Sequence, residues 1–377
     1  MSVLTVGGLL VVGQLYVPLP MVGEMARSWS VTPGRALWTV TVFGLAYAVG
    51  FLITGPLSDL FGRRRVLLGG LLVLTAATAV LAVAPSLPFA IGCRIVQGAG
   101  AAGFSPAALA YVGERIPARR RPVALTCLVT AMVAATISGQ LAGQAASGPG
   151  GWRGVIAINA VALTVLAVAC RLILRPDPDR REQPRLAGYL GSLGRLVSRP
   201  VLVLIYLAAV TVVGGFVAAY ATVQLLGPAG LAEPRAMLAL RAGALPALVA
   251  APFLAPLLDR IRAARRGALA LATAAVVLVV LAVTGGASLA ATAGLLLLFA
   301  GAVATVSPGL TELVGTLSGP ARGAGTALYT FALLVGASLA PPAVHALGGL
   351  GFTATLSMIA AAQGVGAVLL LIADRRY

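Results

Sequence analysis

The sequence has no lysine, a single histidine, three cysteines and only ten acidic residues in 377 positions. Each shortage excludes something. A phosphate-binding loop of the G-x-x-x-x-G-K-[ST] type needs a lysine, and that string is absent, so work driven by nucleotide hydrolysis in this chain is not expected. One histidine and scattered acids supply no nucleophile/base set and no cluster of metal ligands, which argues against an enzyme, a bound metal or a cofactor. Cys93, Cys127 and Cys170 show no CxxC or Cys/His spacing, so no disulfide framework is expected. Charge of either sign is also scarce. Only 10% of residues are charged, against about a quarter in soluble proteins.

What is present is apolar: 59% of the residues are hydrophobic and the mean hydropathy is +1.00. Stretches of about 20 apolar residues, long enough to span a bilayer, occur at 3–23, 35–57, 66–84, 87–110, 123–145, 153–174, 201–223, 236–257, 267–284, 288–311, 325–346 and 352–372. Runs this long without alternation predict helices rather than a membrane barrel. The net charge of +17 would suit a nucleic-acid binder, but its distribution argues otherwise. Of the 27 basic residues, all arginine, 21 lie in the loops after even-numbered spans and in the C-terminal tail. Only five lie in the alternate loops, and Arg94 is inside a span. This positive-inside asymmetry predicts a multi-pass protein with both termini cytoplasmic. The first apolar run begins without a charged lead-in or cleavage site, so no signal peptide is expected. No filter-like segment or charge ring suggests a channel.

The longest polar segment, 175–199, divides the spans six and six. Its first part, "RPDPDRREQPR", is linker chemistry. Leu186, Tyr189, Leu190, Leu193, Leu196 and Val197 then fall on one helical face, with Ser192, Arg195 and Arg199 opposite. Either a basic amphipathic helix lies on the membrane surface here, or the periodicity belongs to a solvated linker. The expected organisation is an N-terminal bundle at 1–174, a linker at 175–199 and a C-terminal bundle at 200–377. The halves echo each other. "GPLSDLFGRRR" at 55–65 matches "APLLDRIRAARR" at 255–266, and "SPAALAYVGERIPARR" at 105–120 matches "SPGLTELVGTLSGPAR" at 307–322. Repeats of this kind flank a central site in many secondary transporters.

These residues resemble the major facilitator superfamily. The loop after span 2 is similar to its G-x-x-x-D-[RK]-x-G-[RK]-[RK] signature through Gly55, Asp59, Gly62, Arg63 and Arg64, with Leu60 where a basic residue is usual. "RIVQGAG" at 94–100 resembles the R-x-x-Q-G-x-G motif of proton-coupled members, and "GWR" at 151–153 is also typical. The resemblance implies an all-α integral membrane protein of twelve transmembrane helices in two six-helix bundles. It implies a bacterial plasma-membrane transporter, monomeric, without cofactor, whose partners are a small-molecule substrate, protons and the lipid bilayer. The leading expectation is proton-coupled export of a small amphipathic compound by alternating access. Nutrient uptake or facilitated diffusion is the alternative, and a non-transporting sensor or scaffold a remote one.

The resemblance also assigns roles. Gly55, Asp59, Gly62, Arg63 and Arg64, with Asp259 and Arg260 from the echo, form a cytoplasmic conformational latch, unless the arginines only set topology and touch anionic lipid. Glycines at 55 and 62 would allow a tight turn or close helix approach. Arg94 either faces a cavity, with Gln97 on its face, or snorkels to the interface. In the family this arginine is linked to coupling, and Glu312 is the second coupling candidate if partly buried rather than plainly interfacial. Substrate-cavity candidates are Gln14, Tyr16, Arg94, Gln97, Gln140, Gln144, Phe216, Tyr220 and Tyr329. Tyr220 and Gln224 serve equally well in an interfacial aromatic belt. Arg241 is expected to snorkel. In span 5, Gln140 and Gln144 stand where drug/proton antiporters carry a proline and a glycine. A cavity with these groups suits neutral or anionic amphiphiles better than dications.

Overall fold

The computed structural model describes residues 2–144, 150–177, 186–233, 235–244, 246–247, 261–286 and 288–377, which are helices joined by short turns, with no strand among them. Among the described residues, nine apolar segments are long enough to cross a membrane, the last of them, Gly319–Asp374, holding two helices. The chain divides into two compact units, Met1–Leu186 and Ala187–Tyr377.

Unit 1 begins with α1 (Ser2–Gly13), a turn, a short 3-10 segment (Leu19–Met21) and α2 (Val22–Ser28). The first span is thus broken in the middle. Pro18 and Pro20 lack the N–H groups that would continue the helical ladder, and the chain crosses them with i→i−3 bonds such as Leu19 N–H to Tyr16 O. After α3 (Pro33–Ala36) come α4 (Trp38–Phe61), α5 (Arg63–Ala82), α6 (Leu87–Arg115), α7 (Arg121–Gln144) and α8 (Gly151–Ile173). Unit 2 holds α9 (Leu186–Val197), α10 (Pro200–Leu226), α11 (Ala229–Ala232), α12 (235–244), α13 (Ala263–Thr284), α14 (Leu289–Leu317), α15 (Arg322–Leu347) and α16 (Gly351–Asp374).

Packing repeats the duplication seen in the sequence. In unit 1, α1 packs on α7 and α5 packs on both α6 and α8. In unit 2, α10 packs on α15 and α13 packs on both α14 and α16, the corresponding spans. Small residues allow the crossings. A Cβ on Gly139 of α7 would lie 2.6 Å from the Gly13 carbonyl oxygen of α1, and one on Gly214 of α10 would lie 3.0 Å from the Gly336 backbone of α15. Lipid tails give helices no hydrophobic reason to associate, so backbone proximity of this kind supplies dispersion contact instead. Outward-facing side chains such as Leu172, Val83 and Val283 are exposed and apolar, as a bilayer solvent requires.

Several helices outrun their apolar stretches. α4 reaches Phe61, α6 reaches Arg115 and α14 reaches Leu317, so each carries an acid in its final turns, Asp59, Glu114 and Glu312 respectively. The expected amphipathic helix is present as α9, but its inward residues are Ser192 and Leu196, while Leu190 and Val197 are exposed. Ser192 can turn inward because its hydroxyl donates to the carbonyls of Gly188 and Tyr189 in its own helix.

Candidate functional site

Arg94 is fully buried in unit 1 and does not snorkel. It is the eighth residue of α6 and reaches across to two other segments. Nε donates to the Thr39 carbonyl of α4 at 2.8 Å, and Nη1 donates to the Gln14 carbonyl at 3.0 Å and to Gln97 Oε1 at 2.9 Å. The guanidinium lies 4.2 Å from the centroid of Phe43, one turn beyond Thr39 on α4.

The Gln14 carbonyl is available for a physical reason. In a continuous helix it would accept from the N–H of residue 18, but residue 18 is proline. The break in span 1 therefore creates an orphan acceptor at membrane depth, and Arg94 fills it. The network continues from there. Gln97 Nε2 donates to Thr78 Oγ1 at 2.8 Å, and Thr78 donates to the Leu74 carbonyl at 2.6 Å, both on α5. Gln14 Nε2 donates to Asn159 Oδ1 of α8 at 2.8 Å, and Asn159 Nδ2 donates to the Val155 carbonyl at 2.9 Å. One cation thus joins the broken span, α4, α5, α6 and α8 through neutral acceptors. Arg94 Nη2 is buried and has no hydrogen-bond partner among the described residues.

The glycines after Arg94 bring the walls close. A Cβ on Gly100 would lie 2.7 Å from the Leu74 nitrogen of α5, and Gly98 sits against the α4 backbone at Phe43 and Tyr47. Tyr47 donates to Ser105 Oγ at 2.6 Å, a further α4–α6 tie.

The remaining cavity candidates separate by unit. Tyr16 is half-buried on the broken stretch of span 1. Gln140 is buried on α7 and donates back to the Thr136 carbonyl at 2.7 Å, while Gln144 is half-buried at the helix end. In unit 2, Phe216 stacks on Phe299 of α14 with centroids 6.1 Å apart, and Tyr220 lies 5.0 Å from Phe216. Tyr329 is buried in α15. Gln363 of α16 donates to the Thr211 carbonyl of α10 at 3.1 Å. That tie joins the spans equivalent to those joined by Gln14 and Asn159.

The signature loop is arranged around three acids. Asp59 pairs with Arg63 one turn on, and Arg63 reaches Glu114 Oε1 at 3.1 Å. The third acid, Asp177, lies beyond α8 and was read from sequence only as linker. Its carboxylate accepts from the backbone N–H of Arg64 at 3.1 Å and of Arg65 at 3.4 Å, capping α5 where the helix dipole favours an anion. Gly62 has φ +96°, and a Cβ there would strike the Asp177 carboxylate. Gly55 meets nothing within 4 Å, so the expected close approach at that glycine is not found; it sits inside α4, away from other backbone. Asp259 and Arg260 lie outside the described residues.

The "GWR" motif anchors the opposite end of unit 1. Trp152 N–H donates to Glu24 Oε1 at 3.0 Å, and the Trp29 and Trp152 rings meet edge to face at 5.1 Å. Arg153 Nη1 donates to the Ala82 and Ala84 carbonyls past the end of α5, at 3.1 and 3.0 Å. These contacts commit Glu24 to capping α8. Glu312 is exposed on α14 rather than partly buried, because it occupies the overhanging turns of that helix; its side chain has no hydrogen bond or ion pair among the described residues. Arg241 is drawn to Gln224 Oε1, at 2.7 Å, rather than to the interface alone.

A family model described as Major Facilitator Superfamily matches residues 4–341. The probable transporter SCO4007 of Streptomyces coelicolor is 34% identical over 335 residues, covering 86% of this chain and 76% of its own length. The cephamycin export protein CmcT of Amycolatopsis lactamdurans is 32% identical over 146 residues, 38% of this chain and 30% of its own. The niacin transporter NiaP of Acinetobacter baylyi is 36% identical over 97 residues, 26% of this chain and 22% of its own. Against most of these curated relatives the match thus spans less than half of their length. With a family model covering almost all of a helical, multi-pass chain, and its signature loop and buried arginine in place, the protein belongs to the Major Facilitator Superfamily.

Proposed function

We propose that the chain is a proton-coupled secondary transporter of the bacterial plasma membrane, with both termini cytoplasmic, that exports a small amphipathic organic compound by alternating access. The observation that carries this reading is the buried Arg94 network. A buried cation held by carbonyls, an amide and an aromatic face has no acid paired with it among the described residues. Its Nη2 remains a donor for an acceptor group on a substrate. Such an intramembrane charge marks a transport or proton path by default. The export direction is supported by the similarity to a protein named for cephamycin export. Glu312, exposed on α14 and with no side-chain hydrogen bond or ion pair among the described residues, is the proposed second coupling residue. Asp59, Arg63 and Glu114 are proposed as the latch that biases one conformation.

The test is transport of a ligand panel into proteoliposomes with and without an imposed pH gradient. Wild-type protein is expected to accumulate its substrate against a concentration difference only when the gradient is present. Glu312→Gln should retain counterflow and lose gradient-driven accumulation. Arg94→Gln should lose both. If both variants keep full pH dependence, the coupling assignment is wrong. Counterflow in the wild type that ignores pH altogether would establish facilitated diffusion instead.

A further inference from the structure

We propose that Arg241, oriented by Gln224 beside Tyr220, binds the carboxylate of a ring-bearing organic anion; this rests on the transporter reading above and names its substrate class. Four observations inside unit 2 converge. Arg241 on α12 donates from Nη2 to Gln224 Oε1 at 2.7 Å, which fixes the plane of the guanidinium. No carboxylate among the described residues lies within ion-pair distance of it. Tyr220, one turn before Gln224 on α10 and within electrostatic reach of Arg241, is 6% exposed, and its hydroxyl has no hydrogen-bond partner among the described residues. One further turn back, Phe216 stacks on Phe299 with an interplanar angle of 8°.

The order along α10 is therefore an oriented cation, an unused hydroxyl and an aromatic wall. Gln224 takes one of the five N–H donors of the guanidinium, and no other described residue is hydrogen-bonded to the rest. A carboxylate accepts two parallel bonds from that fork, and the Tyr220 hydroxyl can donate a third. The same head group supplies the negative charge that no described residue offers Arg241 within ion-pair distance. A planar body attached to the carboxylate would then lie along Phe216 and Phe299 in offset or edge contact. A neutral ligand leaves the guanidinium uncompensated, and a cationic one is repelled by it. Arg241 thus selects for charge, and the aromatic rungs select for shape.

The test uses full-length protein in detergent, without a pH gradient, and three probes of one shape: 2-naphthoate, its primary amide and 2-naphthylmethylammonium. Isothermal titration is expected to show naphthoate binding about tenfold or more tighter than the amide, as a bidentate charged pair predicts, with no measurable binding of the ammonium. Arg241→Gln should erase the preference for acid over amide while keeping amide affinity, which also shows that the variant is folded. Arg241→Lys, which keeps the charge but loses the fork, should fall between. Equal binding of acid and amide by the wild type, no naphthoate binding at all, or a preference that survives Arg241→Gln overturns the proposal. Displacement of naphthoate by phosphatidylglycerol in mixed micelles, dependent on Arg241, overturns it as well and assigns the site to a lipid phosphate. Because binding is read without a gradient, failure here leaves proton coupling standing, and a failed gradient experiment leaves this site standing.

Discussion

If Pro18 creates the acceptor that Arg94 fills, the two residues must be energetically coupled although they share no side-chain contact. The perturbation is Pro18→Ala, made alone and with Arg94→Met. The backbone at Pro18 is already helical, with φ −73° and ψ −19°, so alanine fits without strain. Its new N–H would point toward the Gln14 carbonyl, which Arg94 Nη1 already holds at 3.0 Å. Alone, the change should therefore move stability by no more than about 1 kcal/mol. Arg94→Met removes the hydrogen bonds to Thr39, Gln14 and Gln97. It relieves a charge whose burial costs about 2.5–3.5 kcal/mol on insertion scales. It also strands the Gln14 carbonyl, at about 1–3 kcal/mol for an unsatisfied buried acceptor. In that background Pro18→Ala supplies the missing donor and should recover about 1–3 kcal/mol. The assay is a double-mutant cycle of unfolding free energies in mixed micelles. Effects that add to within about 0.5 kcal/mol would refute the coupling, and with it the explanation of why this span is broken.

Other positions give independent checks. Gly62→Ala should cost about 1–3 kcal/mol for its φ of +96°, because the added Cβ meets Asp177; the penalty should shrink in an Asp177→Ala background, measured by thermal unfolding. Gly336→Ala places a Cβ on the Val210 carbonyl of α10 and should destabilise unit 2 by about 1–3 kcal/mol, seen as a lower melting temperature and poorer monodispersity. Asp59→Asn removes an exposed ion pair worth only about 0–1 kcal/mol of stability, so its effect should appear in conformational bias instead: labelling of cysteines introduced on the cytoplasmic side should increase with little change in melting. Unchanged labelling and unchanged transport would remove Asp59 from the latch.

Much of the fold was legible because lipid imposes one rule, that backbone groups be satisfied within the segment. That rule converts apolar run length into helices, and the duplicated motifs into duplicated pairings such as α1 with α7 and α10 with α15. The ends were not legible. Hydropathy measures transfer into hydrocarbon, whereas a helix stops where its hydrogen bonds and caps stop. α4, α6 and α14 therefore run past the apolar window and carry Asp59, Glu114 and Glu312 on their last turns. Whether Glu312 is partly buried or plainly interfacial stayed open in the sequence for want of that distinction. Asp177 was missed for a related reason. Within "RPDPD" it reads as linker composition, and only the tertiary path brings it to the N-terminus of α5. The arginine run beside Gly62 was the available signal, since an exposed helix start followed by three cations calls for an acid from somewhere.

The polar residues of span 1 and span 4 show how two local anomalies can resolve each other. By hydropathy Arg94 is out of place, and by helix propensity Pro18 is. Taken separately, each would cost several kcal/mol: a charge without water, and a helix without a ladder bond. Placed opposite one another, the proline frees a carbonyl and the arginine supplies a donor, so each removes part of the other's penalty. Gln14 serves this arrangement twice. Its backbone oxygen serves Arg94, its side-chain amide serves Asn159, and one residue then links a broken helix to both α6 and α8.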